Sequence, residues 1–215
     1  LCAWGLSTSE SSEILPLNKF EVSVFQPLRW GYSKNLELST HPILFFTMPN
    51  VSAKIKHNSL NISTKHRFSY PTPLIRIFQK PGMFGLITPE ADIGVVPHIF
   101  SFHNEILKTY VLKKSIITLK AGHSFSIVSE ELDKRISVDL PLLYPRMGEF
   151  FNGYKFNFGL DIRHQFSKSI SLIIDGDCFK IPNEKLFYES KLINEIKLSK
   201  SWELLLGMKA VYGIY

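Results

Sequence analysis

Seven histidines, two cysteines and 19 acidic residues are the groups in this chain that could do acid–base, nucleophilic or metal chemistry. Their spacing argues against most of it. His123 and Ser124 are adjacent, and neighbours in a strand point to opposite faces, so they cannot act as base and nucleophile toward each other. Asp161 and His164, three apart, are separated in the same way, while His57 and His164 fall at turns. His41 and His103 share a polar face with Glu37 and Glu105, the one arrangement with acid–base potential. Asp175-Gly176-Asp177 offers two carboxylates without a ligand loop around them. Cys2 and Cys178 have neither metal-ligand spacing nor a disulfide framework. No glycine-rich phosphate loop or thiol motif is present. The expectation is therefore no catalytic residue, no metal and no cofactor.

The elements that carry these residues are strands. Five short turns, most bearing Ser with Lys, interrupt period-two alternation: Tyr32-Ser33-Lys34-Asn35, His57-Asn58-Ser59, Lys113-Lys114-Ser115, Phe166-Ser167-Lys168-Ser169 and Leu198-Ser199-Lys200-Ser201. Tight turns between alternating strands mean an up-and-down antiparallel meander. The apolar faces are clearest where Phe156, Phe158, Leu160 and Ile162 alternate with polar residues, and where Trp202, Leu204, Leu206, Met208 and Tyr212 do. Aromatic-rich apolar faces on strands this long are expected to face lipid. The opposite faces carry Glu37, Lys54, Lys65, Arg67, Lys120, Asp161, Arg163, Asp175, Glu189, Lys191, Glu195 and Lys209, with both signs represented. In a barrel of eight to ten strands the interior is just wide enough for side chains to fill, so these charges are expected to form a plugging polar network in the lumen. The fold class is all-β: an up-and-down antiparallel transmembrane β-barrel of about 10 strands (range 8–12), with tight turns at one rim and long loops at the other.

Residues 1–16, Ser-rich and polar, read as a flexible lead-in, and 17–215 as a single barrel domain. Phe20 to Trp30 reads as one first strand that starts at the long-loop rim. Ile43 to Phe46 continues a strand after Pro42, and Ile136 to Leu143 forms a weak strand ended by Tyr144 to Gly148. The long loop at about 71–99 is rich in Pro and apolar residues, with a short amphipathic helix at Leu74 to Phe78. Leu74, Ile77, Phe78, Met83 and Phe84 are its candidate partner contacts.

Composition bounds the class. Mean hydropathy is +0.04, and no apolar run approaches the roughly 20 residues of a membrane helix. Alternating lipid-facing and lumen-facing residues would give this middling value, as would a soluble β protein. The net charge of +6 is scattered over strands and turns, without a basic run, which argues against nucleic acid and fits turns beside anionic lipid.

The stretch Trp30-Gly31-Tyr32-Ser33-Lys34-Asn35-Leu36-Glu37-Leu38 resembles a recurring hairpin, aromatic-Gly-x-Ser-x-x-Leu-Glu-Leu, of uncharacterised bacterial outer-membrane β-barrel proteins. The resemblance implies a β-barrel in the outer membrane of a double-membraned bacterium and carries over no catalytic residue. Barrels of this kind often close on a strand ending in an aromatic residue, the place Tyr215 would take. The expected function is non-enzymatic: an integral outer-membrane barrel serving as a structural or accessory subunit of an envelope assembly. Its partners would be the bilayer and other envelope proteins. A small polar pore or transport channel is the alternative. A membrane-embedded lipid-modifying enzyme, a hydrolase using His41 or His103, is the second alternative.

Overall fold

The computed structural model describes residues 11–22, 27–79, 94–136, 144–199 and 202–213. They form one sheet of eleven antiparallel strands, each hydrogen-bonded to its neighbours in sequence. The strands are β1 (Phe20–Glu21), β2 (Leu28–Gly31), β3 (Leu36–Thr40), β4 (Asn50–His57), β5 (Ile62–Ser69), β6 (Ile99–Val111), β7 (Ser115–Val128), β8 (Tyr154–Gln165), β9 (Ile170–Lys180), β10 (Phe187–Lys197) and β11 (Glu203–Gly213). Three short helices, α1 (Pro42–Phe45), α2 (Thr72–Phe78) and α3 (Tyr144–Asn152), interrupt the meander.

The turn chemistry explains the meander. Ser33 Oγ accepts the Asn35 N–H, Ser167 Oγ accepts those of Ser169 and Ile170, and Ser199 Oγ accepts that of Trp202. A serine hydroxyl that bonds its own backbone two or three residues on stabilises a tight reversal. At the 58–61 turn Asn61 takes the left-handed conformation that Asn tolerates (φ 50°). All of these turns lie at one rim, and the connections bearing α1, α2 and α3 lie at the other.

The sheet is not closed. Among the described residues β1 and β11 are its edges, and alternation over eleven strands leaves those two running in the same direction.

Four local readings of the sequence are corrected. The stretch from Phe20 to Trp30 is a hairpin, with Phe20 opposite Trp30 and Glu21 opposite Arg29. Pro27 lacks the N–H that an uninterrupted strand would use there. Lys19 consequently lies at the tight-turn rim, its carbonyl accepting the Gly31 N–H at 2.9 Å. Residues 11–16 are not loose: Ser12 is buried, its N–H donating to Thr109 Oγ1 and its carbonyl accepting Ser63 Oγ. Pro42 starts a helical turn instead of interrupting a strand, because its fixed φ suits the first helical position and His41 Nδ1 caps the Leu44 N–H. Tyr144 to Gly148 opens α3 instead of ending a strand. The strand expected at Ile136 to Leu143 falls largely on 137–143, outside the described residues.

Candidate functional site: a polar chamber inside the sheet

Strand alternation sorts the side chains unusually. Lys54 is 2% exposed and Glu37 3%, whereas Phe158 is 60% and Met208 71% exposed. The inner face is charged and the outer face apolar, the reverse of a water-soluble sheet. All ten strands from β2 to β11 contribute residues to one inner cavity of about 350 Å³.

Register organises the inner face into rows. One row runs Lys56, Ser63, Leu107, Lys120, Gly159, Asp177, Glu189 and Val211. The next row toward the tight turns runs Thr109, Thr118, Asp161, Asp175, Lys191 and Lys209. These two rows neutralise each other. Lys120 pairs with Asp175 and, at 2.8 Å, with Asp177. Lys191 bridges Asp175 (2.9 Å) and Glu189 (3.1 Å), and Lys209 reaches Glu189 at 2.7 Å. Gly159 makes this possible: a Cβ there would stand 2.0 Å from Asp177 Oδ1 and 2.5 Å from Lys120 Cε. Nearer the tight turns Arg163 pairs with Glu195.

Two plugs occupy opposite ends. At the tight-turn end, residues 11–18 lie against the inner face. Lys54 Nζ donates to the carbonyls of Ser11 (3.1 Å) and Glu13 (2.9 Å), and Lys56 pairs with Glu13. Glu37 accepts the Leu15 N–H at 2.8 Å and is held by Arg29. Gly31 admits the segment, since a Cβ there would stand 2.1 Å from the Pro16 carbonyl oxygen. At the other end Ile75 of α2, Met147 and Phe150 of α3, and Val96, Ile99, Leu132 and Ile136 pack as an apolar cap, with Phe78, Val128 and Phe151 against it. Glu149 of α3 ties the cap to the wall, accepting from Ser101 and Ser126 and pairing with Lys155 at 3.0 Å. Burial alone would raise the Glu149 pKa, but the Lys155 ammonium and the serine hydroxyls outweigh it and hold the carboxyl below its usual range. Glu184 is pushed the other way by burial, despite an amide bond from Asn152 at 3.1 Å and the field of Lys180.

Of the expected inner residues, Glu37, Lys54, Lys65, Lys120, Asp161, Asp175, Glu189 and Glu195 are buried. Arg67, Arg163 and Lys191 are half-buried, and Lys209 lies on the edge strand β11, more open. Among the outward residues, Phe156, Phe158, Leu160, Trp202, Leu204, Leu206, Met208 and Tyr212 are exposed, and Ile162 is half-buried. Leu74 lines the cavity, Phe78 packs on the cap and Ile77 is half-buried, so α2 turns inward. Met83 and Phe84 lie outside the described residues. The spacing missed Arg29 and Glu149; Arg29 alternates in phase with the inner face and was legible, whereas Glu149 sits on a helix that strand periodicity cannot reveal.

The two histidines of the expected hydrolase take different places. His41 caps α1. His103 Nδ1 meets Ser124 Oγ at 2.8 Å, but its Nε2 is 3.9 Å from Glu105, beyond hydrogen-bond reach. The same Glu105 oxygen takes the Asn157 amide at 3.0 Å. Among the described residues no cluster could hold a metal ion. The outer face also carries polar side chains: Asn104 bonds His66 at 2.7 Å and His123 at 3.3 Å, and Lys108, Ser190 and Asn194 are exposed. Protein-family models, curated proteins and solved structures give no match to this chain.

Proposed function

We propose that this chain is an integral outer-membrane β-barrel protein whose interior is a plug, serving as a structural or accessory subunit of an envelope assembly and not as a catalyst. The observation that carries the reading is the inversion of burial: ionised side chains inside, aromatic and aliphatic ones outside. Exposing that outer face to water would forgo the hydrophobic gain that normally drives folding, whereas facing hydrocarbon it costs nothing. Strands β6 to β11 are 11–14 residues long, enough for the roughly 9–11 a tilted strand needs to cross a bilayer; β2 to β5, at 4–8 residues, are shorter. Phe102 stacks on Phe125, and Tyr70 on Phe100, beside the long-loop rim. Trp202 and Phe166 are exposed at the tight-turn rim. Two aromatic levels flanking an apolar band fit the girdles of membrane barrels. The exposed Ile43, Phe45 and Phe46 of the α1 segment add an apolar patch at the long-loop rim for the bilayer interface or an envelope partner.

The plug argues for a structural role over a channel, since residues 11–18 and the α2–α3 cap fill both ends. The test is reconstitution. Purified protein should require detergent, should reconstitute into phospholipid bilayers without unitary conductance steps, and should co-purify from native membranes with stable protein partners. Protein that stays monodisperse without detergent ends the membrane reading, and regular conductance steps would replace the plug with a pore.

A further inference from the structure

One row of the inner face sets a guanidinium among hydroxyls. Register aligns Ser39, Ser52, Arg67, His103, Ser124 and Lys155 across β3 to β8, and all six line the cavity. The row contains no carboxylate. Lys155 is neutralised by Glu149. The nearby acids are engaged elsewhere: Glu37 by Arg29, Glu105 by the Asn157 amide, Asp175 and Asp177 by Lys120. Among the described residues the side chains of Arg67 and Ser52, directly opposite each other, make no hydrogen bond or ion pair. A half-buried guanidinium without a counter-charge, beside unused hydroxyls, is an incomplete interaction; its fork of donors matches a planar oxyanion. Above it the cavity wall turns apolar, with Leu44, Met48, Leu74 and Phe150 from the cap side.

We infer that the chamber is a binding site for a small organic oxyanion, a carboxylate or phosphate monoester with a compact apolar body. Arg67 takes the charged head, Ser52 and the His103–Ser124 pair supply further polar contacts, and the cap residues take the body. The volume of about 350 Å³ falls at the low end of small-molecule pockets. The inference rests on the chamber alone and stands whether lipid or water surrounds the outer face.

The experiment is calorimetric titration of the full chain, in neutral detergent or in buffer as its solubility dictates, with benzoate, phenyl phosphate and benzylamine. Saturable binding of at least one anion, with none of the ammonium, is the expected result. Whichever anion binds better identifies the head group. Arg67→Gln should weaken that binding at least about tenfold, Arg67→Lys less, and Ser52→Ala several-fold, because a charge-assisted bidentate contact is worth that much. Thermal unfolding of each variant matched to wild type shows that the wall is intact, and Ser52→Ala carries the test if Arg67→Gln does not fold. Absence of saturable binding by both anions, equal binding of benzylamine, or folded variants that bind the anion as wild type does would overturn the inference.

Discussion

Glu37 is where the wall of the sheet holds the N-terminal segment, and Glu37→Gln is the sharpest perturbation of that link. Arg29 Nε donates to Oε1 at 2.9 Å, while Oε2 accepts Arg29 Nη2 at 2.7 Å and the Leu15 N–H at 2.8 Å. Both side chains are 3% exposed. The substitution keeps the shape and removes the charge, while the half-exposed Glu21 stays 2.5 Å from Arg29. Removing one member of a buried pair costs about 3–5 kcal/mol, because the other is left uncompensated in low dielectric. The remaining Glu21 contact puts the expectation at the lower end, about 3 kcal/mol, or about 6–12 °C in Tm for a chain of this size. The assays are thermal unfolding followed by circular dichroism, and limited proteolysis with mass spectrometry. Cleavage should appear within residues 11–18 before the strands are cut, since the Leu15 tether weakens with the charge. Arg29→Met and Glu37→Gln should each be costly and the double substitution much less than additive. A Tm within about 2 °C of wild type with no new cleavage in 11–18, or fully additive losses, would refute the reasoning.

Phe158 occupies the middle of the outer face of β8, in a row with Ile106 and Tyr188. In a bilayer Phe158→Lys should cost about 2–4 kcal/mol on unfolding from phospholipid vesicles; a loss within about 0.5 kcal/mol, ordinary for a water-exposed site, would place this row outside the hydrocarbon. The pH dependence of the cap follows from Glu149, whose carboxyl is depressed in the folded state. A depressed carboxylate contributes stability that is fully present above its unfolded value, about 4.3, and is lost as pH falls through the lower folded value. The Tm gap between wild type and Glu149→Gln should therefore be constant from pH 7 to about 5 and shrink below about 4; a gap independent of pH down to 3 would show that the Lys155 pairing does not set it.

The strands from β6 to β11 were legible because their alternation is long: with period two, each added residue repeats the same vote on which face is inside. The serine-bearing turns were legible for a local reason, the side-chain bond that each makes to its own backbone. What escaped depended on contacts between segments distant in sequence. Nothing in Ser11 to Pro16 reveals that Lys54, Ser63 and Thr109 will receive it, and its polarity, which reads as solvent-seeking, instead matches a polar interior. Helix α3 escaped because Tyr144-Pro145-Arg146-Met147-Gly148 looks like turn chemistry. The split of the first strand escaped because its alternation survives across a reversal, and only the pairing of Phe20 with Trp30 exposes it.

The row structure also separates two roles that composition alone merges. A wall filled only for stability should neutralise every charge within reach, since an unpaired ion inside is costly. The rows around Lys120, Asp175, Asp177 and Glu189 obey this, and Gly159 is small where it must be for Lys120 to cross to Asp177. Two rows nearer the cap the rule lapses at Arg67, in the part of the interior that neither the N-terminal segment nor the apolar cap occupies. Filling and vacancy are thus arranged by height along the strands: paired ions toward the tight turns, an apolar lid at the long connections, and between them the stretch of cavity wall where Arg67 has no paired acid among the described residues. A pore would need both ends opened. A binding chamber needs only the cap to move, and the cap is tied to the wall through Glu149, the carboxylate whose hold on Lys155, Ser101 and Ser126 weakens on protonation.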